Sequence, residues 1–364
     1  MNKIDVVGED LKEISEEIKD LSPKLEGKTV LLAGGAGFLG KYLVSTFDYL
    51  NKNSLNEPCK VIVLDNLIAG LEKNVSENEN IKLIQHDISK AFNYEGKLDY
   101  IIHAASLASP IFYNKFPLET IDVGYNGTKN LLDLAKEKKL ENFMFFSSSE
   151  IYGNPLPEFI PTKEDYFGNV SCNGPRACYD EAKRVGETLC VNYGHKYDIP
   201  IKIIRPFNVY GPGMRLDDGR VIPAFVTSAI NGEKIPMYRG GNQTRTFCYI
   251  SDATVGWFKA LLSEEKERVF NIGNDDWEIK MGHLAEMILG LVGNKDAKID
   301  YIHDTMSVYH DKVDPDRRCP DLTRARKLLD YNPKTNLVYG VKKFISWAGE
   351  ELEKQKSSKL EESV

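Results

Sequence analysis

Short apolar runs punctuate the first part of the chain: TVLLAGG (29–35), KVIVLDN (60–66), IKLIQHD (81–87), LDYIIHAAS (98–106), NFMFFSSS (142–149) and IKIIRPFN (201–208). Their apolarity is continuous rather than alternating, which requires burial on both faces and predicts strands of a parallel sheet under helices. Helical spacing between them predicts helices over 38–50, 117–138 and 176–197. Strand and helix in alternation build an α/β fold with a doubly wound parallel sheet, whose ligands sit at the carboxyl ends of the strands. Beyond about residue 208 the alternation breaks into loops such as YGPGMRLDDGRVIP and YRGGNQTRTF. This predicts a sheet domain over 28–208 and a smaller C-terminal lobe over 209–350, interleaved with it through later strands and helices.

Ahead of the first strand, EDLKEISEEIKDLS (9–22) puts Leu11, Ile14, Ile18 and Leu21 on one stripe between charges. That is an amphipathic helix within an extension over 1–27. The stripe suits a helix packed on its own domain and a partner-binding arm equally well. The charged tail over 351–364 is expected to fray.

Composition narrows the function classes. A net charge of -7 argues against general affinity for nucleic acid or anionic membrane, although local arginines can still hold an anionic small molecule. The six cysteines are scattered without a CxxC pair and read as reduced thiols; the six histidines form no HxxxH or HExxH cluster, so no metal is expected. No apolar run reaches the roughly 18 residues of a membrane span, and the expected location is the cytoplasm.

AGGAGFLG follows the first strand and opens a helix, with Gly34, Gly37 and Gly40 in GxxGxxG spacing. Glycines there permit a tight turn and close approach of backbone to a pyrophosphate. Asp65 ends the second strand 25 residues after Gly40, where a carboxylate binds both hydroxyls of an adenosine ribose and repels a 2′-phosphate. The expected cofactor is therefore NAD rather than NADP. Asp87, ending the third strand, is placed to meet the adenine amino group. Phe38 and Leu39 in the glycine turn, Asn66 and Gly70 after Asp65, Ile88 after Asp87, and Ala104 and Ala105 after the fourth strand complete the expected lining. Tyr179 and Lys183, in YDEAK, lie four apart and project from one helix face. A neighbouring ammonium favours the phenolate, so Tyr179 is expected to titrate nearer neutrality and to serve as a general base.

Taken in this order, GxxGxxG, Asp65, the serine-rich strand end and YxxxK resemble the extended short-chain dehydrogenase/reductase family over roughly residues 28–345. The resemblance implies a Rossmann-like NAD domain, action on nucleotide sugars, and a homodimer paired through helices near 117–138 and 176–197 in a four-helix bundle. It implies that Ser148, four residues before Tyr152, hydrogen-bonds the reacting sugar hydroxyl. Tyr179 takes the proton of the 4-hydroxyl, and Lys183 also holds the nicotinamide ribose. Simple 4-epimerases leave Glu150 unexplained. 4,6-Dehydratases resemble TDEVYG, and their leaving-group aspartate is Ser149 here. Decarboxylation needs no such acid, because a ketone at carbon 4 lets the carboxylate on carbon 5 depart as carbon dioxide. Glu150 is then the candidate for managing sugar distortion or a proton, with Ser148 and Tyr179 beside the developing oxyanion.

GPRACYDEAKRVGETLC, DNLIAG, FNVYGPGM, DDGRVIPAFV, GGNQTRTFCYISD and DPDRRCPDLTRARKLL resemble the UDP-glucuronate decarboxylases (UDP-xylose synthases). That resemblance implies UDP-glucuronate as substrate, Asn208 and Ser109 on its diphosphate or sugar, Arg220 and Arg245 on its UDP part, and Arg318 at the reacting end. Arginine forks suit phosphate and carboxylate. The chain departs from this pattern in reading ASLASP (105–110) for ASPASP, in Gly124 where asparagine is usual, and in Ala182 where glycine is common. The competing readings are another nucleotide-sugar epimerase or dehydratase, a decarboxylase that stops at the 4-keto product, and an NAD-sensing scaffold without turnover.

Overall fold

A computed structural model describes residues 5–265, 268–302 and 315–362; residues 1–4 of the N-terminal extension and 363–364 of the tail lie outside these. Seven strands form one wholly parallel sheet: β1 (Thr29–Ala33), β2 (Lys60–Asp65), β3 (Ile81–Gln85), β4 (Tyr100–His103), β5 (Asn142–Phe146), β6 (Ile201–Pro206) and β7 (Val269–Ile272). Their order is β7-β6-β5-β4-β1-β2-β3. The winding reverses between β1 and β4, and the crevice beyond their carboxyl ends is where such folds hold ligands. β7 comes from inside the 209–350 segment and returns to the sheet beside β6.

Alternate residues of β1 feed two apolar layers: Val30 and Leu32 on one face, Leu31 and Ala33 on the other. The first layer is closed by α2 (Phe38–Asn53), the second by α3 (Thr128–Glu137) and α4 (Ala177–Tyr197), which gives each strand the two-sided burial its sequence demands. Every fully buried Leu, Val or Phe contributes about 1.5–3 kcal/mol. The strands stop short of the predicted runs. β1 ends at Ala33 rather than residue 35, β4 at His103 rather than 106, and β5 at Phe146 rather than 149. The remaining apolar and serine residues leave the ladder to build loops at the carboxyl edge.

Two helical expectations need correction. The predicted helix over 117–138 is broken: an α-turn at Pro117–Asp122 passes through a π-turn at Val123–Gly127 before α3 begins. The π-turn carries Gly124 and Gly127 and lies against α4, where no side chain fits at position 124. The N-terminal helix, α1, spans Val6–Glu17 rather than 9–22, because Asp5 caps it by accepting from the Gly8 N–H at 3.0 Å. α1 packs on its own domain. Ile14 and Ile18 are fully buried, and Asp10 accepts from Tyr42 Oη (2.9 Å), Tyr249 Oη (3.0 Å) and Lys343 Nζ (2.6 Å).

The other described strands of 209–350 form small sheets, between which helices such as Val221–Asn231, Ile250–Leu261 and Met281–Val292 pack. In one, Thr244–Arg245 pairs parallel with Arg317–Arg318 and antiparallel with Ile279–Lys280. Arg245 and Arg318 are partners in register, so two buried guanidinium side chains leave neighbouring strands side by side. Among the described residues no helix is long and apolar enough to cross a membrane.

Candidate active site

Gly34, Gly37, Phe38, Leu39 and Gly40 line one wall of a cleft at the β1–β4 reversal. Asp65, Asn66, Gly70, Asp87, Ile88, Ala104, Ala105 and Ser109 line the rest, together with Arg220. The glycines are needed sterically. Gly34 has φ 86°, and a Cβ there would fall 2.5 Å from the Ala105 backbone; one at Gly40 would strike the Gly34 carbonyl. Asp65 is buried, and its oxygens accept from the Ala36 N–H (3.0 Å) and the Leu67 N–H (2.9 Å). Burial raises its pKa, against these two backbone donors. Each of its oxygens keeps a lone pair for a ribose hydroxyl. The narrow backbone cradle and the single carboxylate fit a dinucleotide without a 2′-phosphate. Asp87 lies two residues beyond the end of β3 and is exposed at the cleft's far rim, its Oδ1 accepting from the Ser89 N–H at 3.0 Å.

The second group of predicted residues converges at the ends of β5 and α4. Ser148 leaves β5 and caps a 3₁₀ turn over Ser149–Tyr152, its Oγ accepting from the Glu150 N–H at 3.2 Å. Tyr179 and Lys183 rise from the first two turns of α4, both buried. Lys183 Nζ donates to the Phe146 carbonyl at 2.7 Å and stands 5.8 Å from the Tyr179 ring centroid. The pKa of Tyr179 is raised rather than lowered. Burial pushes Tyr179 up to about 12; the facing Ser148 hydroxyl lowers it, while the negative charges of Glu150 and Asp180 raise it further. Burial likewise lowers Lys183 to about 7. Desolvation is the largest cause at both groups. Tyr113, from the short helix Pro110–Lys115 that Ser109 precedes, stacks on Tyr179 with ring centroids 5.7 Å apart. Ser109 Oγ is buried without a hydrogen-bond partner among the described residues.

Glu150 is held by two arginines. Arg318 grips it with both terminal nitrogens, Nη2 to Oε2 at 2.8 Å, and Arg176 Nη2 bonds Oε2 from the other side. Burial raises the pKa of Glu150, but Arg176 and Arg318 outweigh it and hold the carboxyl well below the usual range. Arg245 lies close enough to add to that field, while donating to the Thr244 carbonyl (2.8 Å) and the Pro315 carbonyl (2.7 Å). Asn208, at φ 41°, donates to the Thr246 carbonyl at 2.8 Å. Arg220 is turned towards the cofactor cleft, paired with Asp218 (Nε–Oδ2 2.6 Å) and 5.9 Å from the Phe38 ring.

The two departures near the cofactor form a single contact. A Cβ at Gly124 would fall 2.5 Å from Ala182 Cβ and 3.0 Å from its Cα. The pair therefore holds one methyl group between the π-turn and α4, immediately before Lys183.

The model of the NAD-dependent epimerase/dehydratase family matches residues 30–273. The chain belongs to that family. Members described as UDP-glucuronic acid decarboxylases are similar over most of the chain. One from Arabidopsis thaliana is 40% identical over 86% of this chain and 86% of its own length. Another, from Xenopus tropicalis, is 37% identical over 93% of this chain and 76% of its own. Among solved structures, an epimerase from Methanothermobacter thermautotrophicus shares 28% identity and a TM-score of 0.80, covering 94% of this chain and 98% of its own. A UDP-glucuronic acid 4-epimerase from Bacillus cereus, solved with NAD, shares 25% identity and a TM-score of 0.73 over 88% of this chain and 96% of its own. Family membership carries dependence on NAD, which the cleft at the β1–β4 reversal fits.

Two residues at this site escaped the sequence reading. Arg176 and Asp180 flank Tyr179 in GPRACYDEAK, and their i, i+4 spacing puts them on one side of the α4 N-terminus. Charged residues at such spacing usually mark a solvated face. The signal available was that Tyr179 itself had to be buried, which drags its neighbours in with it.

Proposed function

We propose that this protein decarboxylates UDP-glucuronate to UDP-xylose. The observation that carries the reading is Glu150 fixed between Arg176 and Arg318 beside Tyr179 in a chain 36–40% identical to UDP-glucuronic acid decarboxylases. The arginine pair is chemistry for a carboxylate at the reacting end of the sugar, which a neutral hexose lacks. Ser149 in place of an acid speaks against loss of a 6-hydroxyl.

The glycine turn and Asp65 would hold NAD, which would supply a hydride acceptor at carbon 4 and the later return of that hydride. Tyr179 takes the proton of the 4-hydroxyl, with Ser148 donating to the same oxygen. Lys183 Nζ, 5.8 Å from the Tyr179 ring centroid, is held there by donating to the Phe146 carbonyl. Once carbon 4 is a ketone, the bond from carbon 5 to the carboxylate breaks and carbon dioxide leaves. The electron pair moves onto the ketone oxygen, where Ser148 and Tyr179 stabilise it. Arg318 and Arg176 orient the carboxylate before it departs, and Glu150 fixes the two arginines. Asn208 would hold the diphosphate or sugar and Arg220 and Arg245 the UDP part, Ser109 and Arg220 reaching it from the cofactor cleft that they line.

The same reading includes a homodimer. The Pro117–Asp122 turn, the π-turn and α4 pack together, and Leu118, Ile121 and Tyr125 stand exposed on them. These apolar side chains support pairing of two copies through a four-helix bundle. The six cysteines, all unpaired thiols, support a reducing, cytoplasmic location.

The test is incubation of the purified protein with NAD and UDP-glucuronate, with carbon dioxide and product mass as readouts. Release of carbon dioxide with a UDP-pentose supports the proposal. An isobaric product would make the protein an epimerase, and no turnover of any uronate nucleotide would leave the sensing scaffold.

A further inference from the structure

The site holds a second carboxyl that the scheme above does not use. Asp180 follows Tyr179 on the first turn of α4; it is 6% exposed, and its Oδ1 is buried without a hydrogen-bond partner among the described residues. A buried carboxylate oxygen lacking a donor is costly as an anion and far less so as part of a neutral acid. The groups facing it are charged. Glu150 and Glu181 repel its ionised form, Arg176 and Arg318 attract it, and it acts in turn on Tyr113, Tyr179 and Cys178. Burial raises its pKa first and Glu150 adds to that, leaving Asp180 well above the usual carboxylate range despite both arginines.

Substrate binding changes the charge at this cluster. Glu150 pairs with both Arg176 and Arg318, whose charges also act on Asp180, and Arg245 adds to the field at Glu150. A uronate carboxylate brings a further anion beside Glu150 and Asp180. One proton on a carboxyl offsets the added charge, and Asp180 is the carboxyl whose Oδ1 meets no donor among the described residues.

The reaction itself needs that proton. When the bond to the carboxylate breaks, its electron pair stays with the sugar, and carbon 5 must gain one proton before hydride returns to carbon 4. We propose that Asp180 takes up a proton as the uronate binds and holds the proton that carbon 5 consumes after carbon dioxide leaves. This rests on the decarboxylase reading.

The experiment uses the NAD-loaded Tyr179→Phe protein, which binds without turning over. Calorimetric titration at about pH 8 in buffers of different ionisation enthalpy reads the protons taken up. UDP-glucuronate is expected to draw in close to one proton more than UDP-glucose, which lacks the carboxylate. Adding Asp180→Asn should erase that difference while both nucleotides still bind. Persistence of the difference in the double variant, or its absence from the parent, overturns the proposal. In a background with Tyr179 intact, Asp180→Asn should cut UDP-xylose formation about 10²-fold or more while NADH still forms and accumulates. Asp180→Glu should restore product to within about tenfold. Equal loss of NADH formation and product, unrescued by Asp180→Glu, means a structural role and overturns it. If the unmodified protein releases no carbon dioxide from UDP-glucuronate, the decarboxylase reading itself falls. If it does so with no proton uptake, only the role of Asp180 falls.

Discussion

Gly124 and Ala182 offer the sharpest structural test, because each departs from the decarboxylase pattern and they meet. Adding a Cβ by Gly124→Ala places it 2.5 Å from Ala182 Cβ and 3.0 Å from both the Cα and the carbonyl oxygen of Ala182. Two methyl groups prefer a separation nearer 4 Å. The π-turn or α4 must therefore move by about 1 Å or more. Overpacking of this kind costs about 1–3 kcal/mol. Ala182→Gly alone should cost about 1 kcal/mol through helix propensity. Combined, they should cost less than their sum by about 1–2 kcal/mol, since the second removes the methyl that the first strikes. The assay is thermal unfolding of all four proteins of the cycle, with kcat measured in parallel. Gly124→Ala alone should also slow turnover by up to about 10²-fold, because Ala182 precedes Lys183 and a shift of about 1 Å displaces both Lys183 and Tyr179. The asparagine–glycine pair usual in the resembling decarboxylases, made here as Gly124→Asn with Ala182→Gly, should recover most of that rate. Additive costs in the cycle, or a Gly124→Ala protein as stable and active as the parent, would refute the contact as the reason for the pairing.

Tyr179→Phe should abolish NADH formation from UDP-glucuronate, followed by nicotinamide absorbance, since removing the general base costs at least about 10²–10⁴-fold. Glu150→Gln should leave NAD affinity unchanged, the cofactor cleft being lined by other residues, yet lower kcat by about 10²-fold or more through loosened arginines; turnover near that of the parent would sink the role given to Glu150. Asp10 gives a pH test of the N-terminal helix. Burial raises its carboxyl to about 6 in the folded protein, against Lys343, Tyr42 and Tyr249. A folded-state pKa above the unfolded one means that its contribution is fully present below about pH 4 and is lost as pH rises through about 6. The melting temperature of the parent relative to Asp10→Asn should therefore fall between those limits, and a difference that grows with pH would contradict the burial of this carboxyl.

Much of the fold was legible because two-sided burial writes continuous apolar runs, and the seven-stranded sheet collects all six predicted strands. The seventh, Val269–Ile272, was hidden in a segment read as loops and short elements, because four residues carry too little pattern to declare a partner. The break at Val123–Gly127 was equally hidden. Its cause is the approach of α4, some sixty positions further along the chain, rather than anything in VGYNG alone. At the site, Tyr179 and Lys183 were found from spacing and Ser148 through the family resemblance, whereas Arg176 and Asp180 looked like an ordinary charged helix start.

By itself the sequence determined the order of strands and helices, the glycine turn, the carboxylate at Asp65 and the tyrosine–lysine spacing, since each is set by neighbours within a turn or a strand. Only the tertiary structure decided how the charges are shared. Arg318 reaches Glu150 because its strand pairs with Thr244–Arg245, and the two residues are 168 positions apart. Its arginines then hold Glu150 ionised against its burial, while Asp180 is buried with its Oδ1 meeting no donor among the described residues. Desolvation depends on everything packed around a group, and no local pattern records that.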